Sequence, residues 1–480
     1  MLARSAALRE FTRRDGVRMF AFALAFALVL GGALAIGAYL DPFGNKPQRI
    51  GGWLLIGALV VGLLLAWIWR FRPLIWNRSS ALMLIALLLI GATIAIKITA
   101  GRPVLPYVLP VAAVALLLAV LLDAGTALLV TGLLALLGGA VTGSIEFASY
   151  VLLGGIAGVI VVRRGERFAL FFQAALATGV VNIGVVTLYT LLGNRDITGV
   201  AELVGASAAA AAGSAVAALG SFVVVGNLFG ITTSFQLLEL ANPTQKLLRR
   251  LMLEAPGTYN HSLLVGNLAE RAAEAIGADP LLARVAAYYH DVGKLDNPIA
   301  YIENQAGGEN VHDELTPEES VALVKAHVAK GIDLAYQYKL PKPIIAFIPQ
   351  HHGTALISYF HARAQQQAAD VDDAQFRHSG PKPQTREAAI LMLADSVEAS
   401  VRSLSEHDEP AIRAMVDRII RERLEDGQFD ECDLTLRDVE RIREAFVAQL
   451  LGMYHRRVEY PQNKIVEIES RRAAGGGAAS

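Results

Sequence analysis

Two patterns of apolar residues divide this chain. Between about positions 18 and 230 they run on almost unbroken, about 20 residues at a time, which is the width of a bilayer's hydrocarbon core. Beyond 250 they recur every three or four positions among charged residues, the spacing of one buried helix face. The long runs lie near 18–40, 50–69, 80–99, 104–122, 124–142, 147–162, 168–192 and 203–229, and they predict about eight transmembrane helices, one plus seven, over 18–232. The first run has an apolar core longer than the roughly 7–15 residues of a signal peptide and ends at no processing site, so it reads as a retained anchor. Residues 1–17 form a basic N-terminus.

After Gly230 the stretch SFQLLELANPTQKLLRRLMLEAPG is amphipathic and broken at Asn242-Pro243. Over 233–250 it predicts a membrane-proximal connecting helix suited to the membrane surface, with a plain linker as the equal alternative. Helical spacing then continues. LLVGNLAERAAEAIG is periodic, and Thr316-Pro317-Glu318-Glu319 is a capping box with proline at the first helical position. That places His327 about three turns into a helix. Gly353 reads as a helix stop after His351-His352. No strand-type alternation occurs from 251 to 461, so that region is expected to be an all-helical domain. The tail 462–480, ending AAGGGAAS, is expected to be disordered. The fold class is all-α: a polytopic helical membrane domain followed by an all-helical soluble domain.

Composition agrees with the division. Apolar residues make up 54% of the chain, and its formal net charge of −1 leaves no basic field to attract nucleic acid. Instead, Lys and Arg gather in short loops: Arg4, Arg9, Arg13, Arg14 and Arg18; Arg70, Arg72 and Arg78; Arg163, Arg164 and Arg167; Lys246, Arg249 and Arg250. The predicted spans put all four groups on one side, so both termini and the soluble domain should be cytoplasmic. The ionisable residues Lys97, Asp123, Glu146 and Glu202 fall near span ends, which weakens a transporter reading. Small-residue stretches such as Ala206 to Ala218 and Gly154-Gly155 read as close helix packing, so no intramembrane ligand is expected.

The chemistry lies in the second half. All ten histidines occur at or beyond position 261, and one ordered set runs His261, His290-Asp291, His327, His351-His352 and Asp395. One histidine on a helix is more often a packing residue than a ligand; seven such residues together suggest a site. The single cysteine, Cys432, forms no intrachain disulfide and lies far from these residues in sequence, so any metal is held by nitrogen and oxygen. Imidazole and carboxylate suit Fe, Mn, Ni, Co or Zn, and Asp291 between two histidine groups is the candidate bridge of a metal pair roughly 3.5–4 Å apart. Adjacent residues on a helix point about 100° apart, so His290 and Asp291 face one cavity only partly together, each favouring a different ion, and His351 and His352 pose the same geometry.

These residues and the motifs around them resemble the HD phosphohydrolases, in particular the seven-transmembrane HD proteins that hydrolyse cyclic di-AMP. APGTYNHS, YYHDVGK, ENQ, HDELTPEES, QHHGT, GPKPQTRE, MLADSVEAS and DGQFDECDLT carry the resemblance, together with the order of spans before them. It implies an HD-type phosphohydrolase domain over 251–461 and two divalent ions, iron or manganese. His261, His290, Asp291 and Asp395 would serve one ion, and Asp291, His327, His351 and His352 the other. It also implies hydrolysis of cyclic di-AMP to linear pApA by metal-activated hydroxide attacking phosphorus in line, with Asp291 and Lys294 as the catalytic residues. Lys294 could reach a phosphate oxygen, or be a surface lysine.

Two features depart from the family pattern. Only DPFGNKPQR follows the first span, where relatives commonly carry a large extracytoplasmic sensor, and FRHSGPKP has His378-Ser379 in place of a Tyr-Pro pair. The GYP signature of cyclic di-GMP hydrolases is absent from KLDNPIAYIENQ. Alternatives are an HD hydrolase of another cyclic dinucleotide or nucleotide, or a non-catalytic nucleotide-binding membrane receptor. The expected partners are a cyclic dinucleotide and membrane lipid, not nucleic acid, with a homodimer left open.

Overall fold

The computed structural model describes residues 2–40, 46–162, 168–193, 199–305, 310–367 and 371–454. Arg163, Arg164, Arg167, His455 and the tail 462–480 lie outside the described residues. Among those described the secondary structure is helical, and the one β-type pairing is an isolated bridge between Leu356 and Arg377. The chain forms two compact units, Met1–Glu239 and Leu240–Ser480.

The first unit comprises α1 (Leu2–Leu40), α2 (Lys46–Phe71), α3 (Pro73–Trp76), α4 (Ser79–Thr99), α5 (Leu105–Val108), α6 (Ala112–Leu121), α7 (Ala124–Thr142), α8 (Ile145–Val162), α9 (Phe168–Leu191), α10 (Val200–Leu228) and α11 (Ser234–Leu240). Seven of these (α1, α2, α4, α7, α8, α9 and α10) are long and apolar enough to cross a membrane. The fourth expected span, 104–122, differs: it is the short pair α5 and α6, interrupted at Leu109–Val111. Pro110 is the physical reason, because it has no N–H to continue a helical ladder. Asp123 caps α7 by accepting from Thr126 N at 3.0 Å and pairs with Arg72 Nε at 3.0 Å, so its charge is structural. Lys97 lies over the Trp53 ring, its Nζ 4.8 Å from the centroid.

The expected connecting segment is divided. Phe235 of α11 packs against Phe168 and Phe222, with ring centroids 4.4 and 4.9 Å away, and so belongs to the first unit. In the second unit α12 (Lys246–Glu254) buries Leu247, Leu248 and Leu251. It is followed by α13 (Pro256–Ile276), α14 (Pro280–Tyr289), α15 (Pro317–Gln337), α16 (Lys342–Gln350), α17 (Ser358–Gln367), α18 (Arg386–Arg402), α19 (Glu409–Glu425) and α20 (Leu436–Met453). Their starts are coded locally. Thr316 and Glu319 form the expected box at α15, Asp279 caps α14, and Thr435 with Asp438 boxes α20. Val265, Leu268, Ala269 and Ala272 of α13 and Ile390, Leu391, Leu393 and Ala394 of α18 are fully buried and form part of the core that carries the site.

Candidate metal centre

The seven residues singled out in the sequence converge in the second unit. Four of them, His261, His290, Asp291 and Asp395, offer ligand atoms within 4.8 Å of one another, and His327, His351 and His352 form a second group on the same criterion. Asp291 joins the two. Its Oδ2 is 3.1 Å from His290 Nε2 and 3.6 Å from His261 Nε2, while its Oδ1 is 3.5 Å from His327 Nε2 and 3.7 Å from His351 Nε2. Asp395 Oδ1 is 3.0 Å from His261 Nε2, and its Oδ2 is 3.7 Å from His352 Nδ1.

Local backbone geometry aims three of the rings. α14 stops at Tyr289, so the His290-Asp291 doublet sits at a helix end and not within a helix body; a 3₁₀ turn, Val292–Asp296, follows. The last carbonyls of a helix have no intrahelical partner. His290 Nδ1 meets one of these, Ala287 O, at 2.6 Å, and His351 Nδ1 meets Ile348 O at 2.6 Å at the end of α16. His327, inside α15, uses Val324 O at 2.5 Å. A ring whose Nδ1–H donates to a carbonyl presents an unprotonated Nε2, the tautomer a metal requires. His261 is held instead by a carboxylate, with Nδ1 2.5 Å from Glu398 Oε2.

The doublet approaches α15 through a glycine. A Cβ on Gly293 would overlap His327 O and stand 2.5 Å from Gly331 N. Only a residue without a side chain lets the 3₁₀ turn lie against α15 at His327.

Charge in the site is set by burial and by close opposite charges. Burial opposes protonation of His290, but the Asp291 and Asp395 carboxylates outweigh it and lift its pKa to about 10. Burial also opposes the Asp291 carboxylate, yet His290 and Lys294 hold it well below the usual carboxylate range. His351 and His352 are pushed down by burial and by neighbouring histidines. The residues fit divalent ions: His290 Nε2 and Asp291 Oδ1 are buried without a hydrogen-bond partner, and the donor set is imidazole and carboxylate throughout. An ion and the His290 proton would compete for one place.

Lys294 is held inside the site and is not a surface lysine. Its Nζ pairs with Asp291 Oδ2 at 2.8 Å and Glu303 Oε1 at 2.7 Å, under the Tyr301 ring. Thr258 and Asn304 complete that network: Thr258 Oγ1 donates to Glu303 Oε1 at 3.0 Å, and Asn304 Nδ2 donates to Thr258 Oγ1 at 2.8 Å. Glu303 and Glu398 were missed in the sequence because their partners are 9 and 137 positions away. His378 lies against His352, the rings tilted by 31° with centroids 4.2 Å apart, and burial lowers its pKa to about 3, so it is a neutral ring at the site's edge. His312 bonds Ala300 O and His361 pairs with Asp373, both outside the centre.

An all-helical domain on which seven His and Asp side chains meet in two adjoining groups has the make-up of a metal-dependent hydrolase. Residues 47–233 match the family described as a 7TM receptor with intracellular HD hydrolase, and residues 258–400 match the HD domain. The cyclic-di-AMP phosphodiesterase PgpH of Listeria monocytogenes is 41% identical over 317 residues, covering 66% of this chain and 44% of the relative. PgpH of Bacillus subtilis is 39% identical over 367 residues, covering 74% of this chain and 51% of the relative. The crystal structure of the L. monocytogenes PgpH HD domain in complex with cyclic-di-AMP is 46% identical, covers 44% of this chain and 100% of that one, and has a TM-score of 0.44. The chain belongs to the family of seven-transmembrane proteins that carry an HD hydrolase domain. It spans about half the length of these curated relatives. The seven apolar helices and the family match together make it a multi-pass membrane protein.

Proposed function

We propose that this protein is a membrane-anchored, metal-dependent phosphodiesterase that hydrolyses cyclic di-AMP to linear pApA, with both termini and the HD domain in the cytoplasm. The observation that carries this reading is Asp291, whose two oxygens face the two ligand groups, in a chain about 40% identical to proteins named cyclic-di-AMP phosphodiesterase. His261, His290, Asp291 and Asp395 would hold one ion, and Asp291, His327, His351 and His352 the other. When bound, such ions supply positive charge that acidifies water and offsets charge on a phosphodiester oxygen.

The remaining work belongs to the chain. Glu398 and the Ala287, Val324 and Ile348 carbonyls fix the rings, which keeps the donor atoms in place before substrate arrives. Lys294 keeps Asp291 ionised and oriented, and Glu303 balances the lysine. The neutral His378 ring beside His352 would offer a face to a nucleobase of the substrate.

The test is a panel of cyclic dinucleotides given to the full chain in detergent with Mn or Fe, with product identification. Conversion of cyclic di-AMP to pApA, lost in His290→Ala/Asp291→Ala, is expected. No turnover with either metal refutes the reading, as does full activity in the double variant.

A further inference from the structure

The membrane unit holds a small cavity, lined by apolar and polar side chains, where α8, α9 and α10 meet the interruption between α5 and α6. Its volume is about 10 Å³, room for one guest the size of water. Tyr150 from α8, Thr178 and Asn182 from α9 and Ser214 from α10 line it beside Leu109. None of the four polar residues is more than 3% exposed.

Three hydroxyl protons there are already spent on backbone carbonyls. Tyr150 donates to Tyr107 O at 2.9 Å, Thr178 to Gly154 O at 3.1 Å and Ser214 to Ala210 O at 2.7 Å. The Thr178 and Ser214 hydroxyls therefore have only lone pairs left to offer, whereas the Tyr150 hydroxyl also has Ser207 and Asn182 as hydrogen-bond partners. Asn182 adds a carbonyl oxygen that accepts from nothing. A buried acceptor left bare in this way costs free energy that an occupant with a proton or a positive charge would recover.

The surroundings are shaped to keep this arrangement. A Cβ on Gly154 would overlap Asn182 Oδ1 and lie 2.9 Å from its Cγ, and one on Gly158 would lie 2.9 Å from Thr178 Oγ1. The glycines of α8 thus do more than bring helices together; they make room for polar side chains between them. Irregular backbone at membrane depth is tolerated where protein buries it or where it lines a polar cavity. Leu109–Val111, broken by Pro110, is such a stretch and borders this one.

We propose that this cavity is a binding site for one small guest that engages oxygen lone pairs, a water molecule or a cation of similar size, which bridges α8, α9 and α10. The inference is independent of the phosphodiesterase reading.

One variant of the full chain in detergent gives opposite signs for a filled and an empty cavity. Ser214→Thr keeps the hydroxyl and adds a methyl group to the space. In an empty cavity it holds or raises Tm, through better packing. With a guest in place it lowers Tm by several degrees, because the methyl group excludes the guest. A high-resolution density map of the wild type should show a peak within hydrogen-bonding distance of Asn182 Oδ1. Exchanging sodium for N-methylglucamine identifies the occupant: a fall in Tm means a cation, and no change means water. Absence of the peak, or a Tm for Ser214→Thr at or above wild type, overturns the proposal.

Discussion

Gly293→Ala is the change by which the geometry of the candidate metal centre stands or falls. The added Cβ would overlap His327 O and lie 2.5 Å from Gly331 N and 2.7 Å from His327 C, where such contacts stay beyond 3.0 Å. All three neighbours are backbone atoms, so no rotamer change relieves the overlap. The Val292–Asp296 turn and α15 must part by about 1 Å, taking Asp291 away from His327. Overpacking of this kind costs about 1–3 kcal/mol. At roughly 2–4 °C per kcal/mol for a unit of this size, Tm should fall by about 2–12 °C. A misplacement of about 1 Å at reacting groups lowers turnover on the order of 100-fold. The assay is thermal unfolding, metal content by mass spectrometry and cyclic di-AMP turnover on one preparation. A variant with wild-type Tm, metal content and turnover would refute the claim that Gly293 sets the approach of the doublet to α15.

Glu398→Gln should weaken metal binding about 10–100-fold, because His261 loses the carboxylate that orients it; metal titration of the stripped protein checks this, and unchanged affinity counts against the role. Lys294→Met leaves Asp291 and Glu303 facing each other without their shared cation and should destabilise the protein by about 3–5 kcal/mol, partly restored in Lys294→Met/Glu303→Gln. Denaturant melts separate that outcome from a direct phosphate contact, which would lower turnover while leaving stability intact. Removing bound metal should lower Tm, by the equivalent of about 2.7 kcal/mol if free metal had stood at 100 times its Kd; a melting curve indifferent to chelator speaks against a loaded site.

How much of this was legible in the sequence depended on the range of the interaction. Thr316 and Glu319 lie three positions apart, so the start of α15 and the place of His327 on it followed directly. Seven of the eight apolar runs became long helices because length and hydropathy suffice for that judgement. The run 104–122 misled, since hydropathy counts Pro110 as apolar while its missing N–H breaks the helix. The seven residues that meet in the site were visible by type and order. Their orientation was not: treating the His290-Asp291 doublet as part of a helix body overlooked that a helix end leaves carbonyls free to aim an imidazole. Glu398 and Glu303 had no motif of their own to mark them, and Gly293 sat inside HDVGK with its reason hidden in the approach of α15.

The membrane half shows why position along a span is a poor guide to environment. Glu146 lies near the start of its run and reads as an interfacial residue, yet it is only 6% exposed. Gly154-Gly155 reads as a packing seam, and it is one; but the space a glycine leaves can be filled by a neighbouring helix or by that helix's polar side chain, and hydropathy cannot separate the two. Asn182 takes the space at Gly154 and Thr178 the space at Gly158, while Thr131 of α7 takes that at Gly155. The positions of Thr178 and Asn182 on α9 differ by four, one helical turn, so both face α8. Polar residues at that spacing opposite glycines on the preceding span are therefore a signal readable from sequence when the two spans are read together. Read one span at a time, the same residues average away into an apolar run.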